Sequence, residues 1–408
     1  MSEKAEGMSP TPEKKAAEAS ASPRRRASWW DANWRTLTIT AASIVLALIV
    51  GALLMVFSDP EVAAKYQYFF GRPGDALAAS WDKVSSAYAA LFLGAVGSPS
   101  AVATTMWQAA PLICGGLAVG LGFRAGLFNI GAQGQAVWGS ILAAYVGFAW
   151  HLPPVLHVVV AVAAGLLGGA VWGAIVGFLK ARTGAHEVIV TIMMNYVANG
   201  ALAWLLTTEA FMRPGRLDPI SPVIDSTAQF APIYEQFHIG FLVALVAAAA
   251  TWWLIDRSTI GFAIRAVGAN PAAAGTAGMS VGRTTIITMT LSGLLAGLAG
   301  VQYALGPGAN GTPTPLSVGL VGSVGFDAIT VALLGRSKPV GIVFAGLLFG
   351  GLHSGGLSMQ SMAGTPLTLS TVLQALIVLF VAAPQLVATL VPFLSARKAR
   401  ASLTGADA

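Results

Sequence analysis

Charge is what this sequence is short of. Asp, Glu, Lys and Arg supply 10% of its 408 residues, against about 25% in a soluble domain. So little charge cannot cover a water-facing surface. Hydrophobic types supply 55% and the mean hydropathy is +0.72, so the expected solvent is lipid. Cysteine is almost absent. A lone Cys114 excludes an intrachain disulfide and a Cys/His metal cluster. Five histidines are too few for a multi-histidine metal or haem site, and neither metal nor cofactor is expected. Enzyme signatures are missing too: there is no Walker phosphate loop, no G-x-S-x-G and no H-E-x-x-H. If ATP powers this protein, the ATPase is another chain.

The net charge of +6 is read as basic ends meeting anionic lipid rather than as a nucleic-acid surface. Residues 1–35 are polar, contain Pro10, Pro12 and Pro23, and are expected to be a disordered cytoplasmic tail. Arg24, Arg25 and Arg26 precede a long apolar run, which reads as an uncleaved first span with its N-terminus inside.

A span needs about 20 mostly apolar residues. Ten segments qualify, at 36–57, 101–123, 126–149, 155–179, 187–207, 238–255, 284–304, 318–335, 339–357 and 367–391. The third, eighth and ninth are rich in glycine or polar residues and read as broken helices. The membrane-spanning region is thus 36–391, and 392–408 is a second cytoplasmic tail. With both termini inside, 18 of the 23 Lys and Arg fall on the inner side, as the positive-inside rule expects. The outer loops keep Lys65, Arg72, Lys83, Arg213 and Arg216. Of the two long outer segments, 58–100 is expected to hold an amphipathic surface helix. The proline-rich 208–237 is expected to be irregular.

Glycines recur every four residues at Gly165, Gly169, Gly173 and Gly177, and in pairs at Gly293/Gly297 and Gly346/Gly350. Such stripes let helix backbones approach closely; gating by sliding helices is the other reading.

Four polar stretches interrupt the apolar background. The first, 126–135, includes Phe128, Asn129 and Gln133. It is either a helix break at membrane depth, tolerated only beside protein or water, or a plain cytoplasmic turn. The second, 319–329, carries Asp327. An intramembrane carboxylate costs at least about 2.5–3.5 kcal/mol, so it needs a partner or a wet cavity; a bond to nearby backbone N–H groups is the structural alternative. The third places Thr191, Asn195 and Asn199 on one helix face, for substrate contact or for interhelical hydrogen bonds. The fourth is the inner loop 256–283, where Asn270 caps a short helix starting at Pro271. That helix is either a partner-docking element or an inert connector. His353 is a lone intramembrane histidine, read as packing.

Together these stretches resemble permease subunits of bacterial ABC importers in the branched-chain amino acid, ribose and nucleoside class. The run Phe-Arg-Ala-Gly-Leu-Phe-Asn-Ile-Gly-Ala-Gln-Gly-Gln at 123–135 is similar to the nucleoside and simple-sugar subgroup. That subgroup usually has glutamate where this chain has Gln133. The stretches 187–195 and 319–341 also resemble it, and the likeness covers roughly 100–391. The resemblance implies an all-α, polytopic membrane protein of about ten helices, with inverted repeats around a central path. It implies a substrate path along Phe128, Asn129, Gln133, Thr191, Asn195, Asn199 and Asp327, for a nucleoside, a simple sugar or a branched-chain amino acid. It also implies ATPase coupling through Arg265, Asn270, Pro271, Ala273, Gly275 and Gly278. The expected partners are an ATPase subunit, a second related permease and an extracytoplasmic substrate-binding lipoprotein, in a bacterial cell membrane. An ion-coupled carrier working through Asp327 is the rival of a different class.

Overall fold

The computed structural model describes residues 29–308 and 311–383. By internal contacts the chain divides into residues 1–46 with 383–408, and residues 47–382. In the first unit the described part is mainly the opening of helix α1 (Trp29–Ser58). In the second, α1 continues into α2 (Pro60–Tyr66), α3 (Pro73–Val96), α4 (Pro99–Arg124), α5 (Ala132–Ala149), α6 (Pro154–Thr183) and α7 (Glu187–Leu205). A mostly irregular stretch follows, with a 3-10 turn at Ser226–Ala228 and a small antiparallel hairpin of β1 (Pro232–Tyr234) and β2 (Phe237–His238). The chain continues as α8 (Ile239–Arg257), α9 (Thr259–Ala269), α10 (Pro271–Thr276), α11 (Val281–Leu305), α12 (Val324–Leu334), α13 (Pro339–Ala363) and α14 (Leu367–Ala382).

Among the described residues, seven helices are long and apolar enough to cross a membrane: α1, α4, α6, α7, α8, α11 and α13. The other three expected spans are, among the described residues, shorter than expected, and the third and eighth have a local cause. The third begins only at Ala132, because Gly126 takes a positive φ of 70° and the chain stays non-helical to Gly131. The eighth is reduced to the 11 residues of α12, because Gly319 and Gly322 hold positive φ of 94° and 50° just before it, a conformation that favours glycine. The tenth ends at Ala382; residues 384–391 lie outside the described residues, as do 1–28 and the tail 392–408. The expectation of a break in the ninth span is corrected: α13 is a continuous 25-residue helix. Its glycines serve contact instead. A Cβ on Gly350 would come within 2.6 Å of the Thr105 carbonyl, and one on Gly355 within 2.3 Å of that of Leu91. The first helix starts at Trp29 rather than at 36.

Residues 58–100 form two helices, and α3 packs along α13. Lys83 fastens it, with Nζ 2.7 Å from an Asp59 carboxylate oxygen and 3.0 Å from the Ala363 carbonyl. The Lys83 ammonium holds the Asp59 carboxyl below its usual range.

The packing is reciprocal between two four-helix halves, α4–α7 and α11–α14. Helix α4 packs on α12 and α13, and α11 packs on the corresponding α5 and α6. Both contacts use glycine faces. A Cβ built on Gly169 would lie 2.2 Å from the Gly293 carbonyl oxygen, and one on Gly293 would lie 2.2 Å from that of Gly169. Gly173 and Gly297 meet the facing backbone in the same way. Dispersion between backbones at this distance holds lipid-immersed helices together without a hydrophobic driving force. The two halves interlock through these faces.

The bundle has two distinct ends. At one, Arg124 Nε donates to the Ser337 carbonyl at 3.0 Å, Gly268 lies against Arg124 and Ala125, and Gly282 lies against Ala181. At the other, Asp225 N donates to Gly147 O at 2.8 Å and Phe230 N to Leu305 O at 2.9 Å. Within 47–382 the first end carries Arg124, Lys180, Arg182, Arg257, Arg265, Arg283, Arg336 and Lys338 against Glu187 and Asp256. The second carries five basic residues, Lys65, Arg72, Lys83, Arg213 and Arg216, against eight acidic ones.

Candidate functional site

The helix break before α5 is held by side-chain amides. Asn129 Oδ1 accepts from Gly131 N at 3.0 Å, and its Nδ2 donates to Gln135 Oε1 at 3.0 Å and Ser292 Oγ at 2.8 Å. From α7, Asn195 Oδ1 accepts from Gly134 N at 2.8 Å and its Nδ2 donates to Ile130 O at 3.0 Å. Gln133 reaches the other break: its Nε2 donates to Gly322 O at 2.7 Å, and its Oε1 accepts from Gly325 N at 2.8 Å. The first turns of α5 and α12 therefore touch, and their orphan N–H groups are met by neutral amides.

The structure thus brings Asn129, Gln133, Thr191 and Asn195 together as a knot around residues 129–135. All four are buried. Thr191 lies against Gly131 and donates to Val188 O. Asn199 is half-buried further along α7. Phe128 is 39% exposed and packs against Phe123, away from the other amides' contacts.

Free hydrogen-bonding capacity lies elsewhere. Helices α4, α11, α12 and α13, with the connector before α12, enclose a cavity of about 510 Å³. A recess leads on to Phe349 and Gln374. Trp107, Gln108, Tyr303, His353 and Gln374 line this space, and their polar atoms have no hydrogen-bond partner among the described residues. Gln302, buried in the wall, donates through Nε2 to Gly240 O at 2.9 Å, while its Oε1 has no partner. Asp327 is the one expected site residue that lines the cavity. Its Oδ2 accepts from Ser323 Oγ at 2.8 Å, and Oδ1 has no hydrogen-bond partner among the described residues. The reading of His353 as packing is corrected, because it is exposed on the wall shared by cavity and recess. Polar residues at mid-helix in apolar spans carry the signal that points to such a site. Gln108 and Gln374 carried it in the sequence without forming a motif, and Gln302 lies in the last turn of α11.

At the basic end, Asn270 Oδ1 caps α10 by accepting from Ala273 N at 3.0 Å, and Pro271 is its first residue. Arg265 is held by Ile255 O at 2.6 Å and by Asp256, so it braces α9 against α8. Pro271, Ala273, Gly275 and Gly278 are exposed, and Ala274 anchors the short helix inward.

Residues 101–382 match the family described as the branched-chain amino acid transport system permease component. The guanosine ABC transporter permease protein NupP of Bacillus subtilis (strain 168) is 37% identical over 85% of this chain and 93% of its own length. The nucleoside ABC transporter permease protein NupB of Lactococcus lactis subsp. cremoris (strain MG1363) is 31% identical over 90% and 96%. The glucose ABC transporter permease protein TsgB13 of Haloferax volcanii is 30% identical over 72% and 79%. No solved structure matches the chain significantly. A helical bundle with membrane-length apolar helices, interlocked halves and a polar cavity at their junction is what a solute permease requires, and the chain belongs to the permease-component family of branched-chain amino acid transport systems.

Proposed function

We propose that this chain is the permease of an ATP-driven nucleoside importer and that the 510 Å³ cavity is its share of the substrate path. The cavity chemistry carries the reading. A nucleoside is neutral, with a flat base and a hydroxyl-bearing sugar. Trp107 and Tyr303 offer ring faces, and unpartnered amides offer neutral donors and acceptors. The names of NupP and NupB point the same way. Asn129, Gln133 and Asn195 then act on transport by holding the helix breaks that shape the cavity wall. Uptake of labelled nucleosides, pentoses and branched-chain amino acids by the reconstituted complex tests the proposal. Transport of amino acids without nucleosides would overturn it.

The partners follow from the same reading. They are an ATPase, a second related permease and an extracytoplasmic binding lipoprotein. Apolar residues beside the cavity, Phe326 next to Asp327 and Leu357 one turn from His353, are exposed and suit a second permease. The basic end is assigned to the cytoplasm and the ATPase to α10. A Cβ added at Gly275 meets nothing within 4 Å and the residue is exposed, so Gly275→Arg should leave the permease fold intact and report on the partner. The expected result is a chain that inserts normally while the ATPase detaches or hydrolyses ATP without transport; normal uptake would make α10 a connector. Orientation is read by cysteine labelling in a Cys114→Ala background. Gly275→Cys should react only from the cytoplasm, and Leu217→Cys, fully exposed at the opposite end, only from outside. Ser221 is unsuitable for this purpose because it is buried and hydrogen-bonded to Leu316 N.

A further inference from the structure

We infer that Asp327 is the acceptor for the sugar hydroxyls of the substrate, so that this permease itself selects ribonucleosides over nucleosides lacking the 2′ and 3′ hydroxyls. The inference rests on the nucleoside reading above and assigns its polarity within the cavity.

The connector before α12 brings Thr314, Ser317, Gly319, Gly322 and Ser323 to the wall that Asp327 also lines, together with Val318 and Leu320. Its small residues offer hydroxyls and backbone to a puckered ring, and Tyr303, Gln108, His353 and Gln374 meet Asp327 at the recess. The aromatic rings, Trp107 and Tyr303, come from α4 and α11. A flat base suits aromatic side chains, and a sugar suits small polar ones.

Two groups of this space offer only an acceptor, Gln302 Oε1, which is buried and neutral, and the ionised Asp327 carboxylate, which is the stronger of the two. A neutral ligand must therefore bring it an O–H or N–H, and a vicinal diol brings two O–H groups. Ser323 Oγ, 2.8 Å from Oδ2, fixes the carboxylate orientation and leaves Oδ1 unpartnered among the described residues. An acceptor desolvated in a cavity discriminates strongly against a ligand that lacks the matching hydroxyl, since the group is then buried unpaired. Base edges carrying N–H groups are the competing donors. Guanine presents such a donor pair at N1–H and its exocyclic amino group, and inosine lacks the amino group, so comparing guanosine with inosine separates the two placements.

The test compares uptake of guanosine, 2′,3′-dideoxyguanosine and inosine by the complete complex in proteoliposomes, with the same binding protein throughout. Ratios within one variant do not depend on how much of it folds. The wild type should favour guanosine over the dideoxy analogue by at least ~tenfold, and Asp327→Asn should cut that ratio to about one-third or less. Ser323→Ala keeps the carboxylate but frees it, and should lower the ratio partway. It also decides the matter if Asp327→Asn transports nothing. A guanosine-to-dideoxyguanosine ratio unchanged in both variants overturns the inference. So does a fall confined to the guanosine-to-inosine ratio, which would place Asp327 on the base edge. Failure of the wild type to import any nucleoside would overturn the underlying reading, and the inference with it.

Discussion

Gly169→Leu should abolish the folded permease, and Gly200→Leu should not. The two glycines differ only in what surrounds them. A Cβ on Gly169 would sit 2.2 Å from the Gly293 carbonyl oxygen and 2.6 Å from Gly297 Cα, whereas one on Gly200 meets nothing within 4 Å. The obstacle at Gly169 is backbone, which cannot rotate away. Helices α6 and α11 would have to separate along a seam that also includes Gly165, Gly173 and Gly297. Overpacking a core usually costs about 1–3 kcal/mol, and separation of a whole seam exceeds that. Total stability is only about 5–15 kcal/mol. Size-exclusion yield and the thermal midpoint of detergent-purified protein would measure the difference. Equal yield and midpoint for the two variants would show that the seam does not need glycine.

Gln133→Leu is the second large effect. It keeps the bulk of the side chain but strands the Gly322 carbonyl and the Gly325 N–H, which Gln133 serves at 2.7 and 2.8 Å. Each orphaned backbone group costs about 1–3 kcal/mol, so the expected loss is about 2–6 kcal/mol. The bonds join the start of α5 to the start of α12, so transport should fall even in the fraction that folds. Gln133→Glu restores both bonds only while its carboxyl keeps a proton, and its midpoint should fall between wild type and Gln133→Leu. Unfolding midpoints of the three proteins are the measurement. A Gln133→Leu midpoint within error of wild type would mean that water reaches both stranded groups.

Composition and charge placement made the membrane bundle legible. The break at 126–131 showed as glycine and amides between apolar runs, and the structure has non-helical chain there. The glycines of α13 gave a misleading signal, because glycine for a bend and glycine for close contact look alike in one chain. Only the facing residues, such as Ile113 against Gly346, tell them apart. Asn129, Gln133 and Asn195 were conspicuous because polar residues in apolar runs stand out. Whether an amide serves substrate or backbone depends on distances to chain far off in sequence, and Gln133 and Gly322 are 189 positions apart.

By itself, the sequence determined the solvent, the approximate number of hydrophobic segments and the sorting of basic residues. These follow from local hydropathy and charge, which are summed along the chain. Tertiary structure alone decided which glycines touch, which polar groups are already paired and where free ones converge. Trp107, Gln108, Tyr303, Asp327, His353 and Gln374 come from five helices. No spacing along the chain links them, because a cavity at the junction of two interlocked halves is assembled from residues that are neighbours only after both halves have packed.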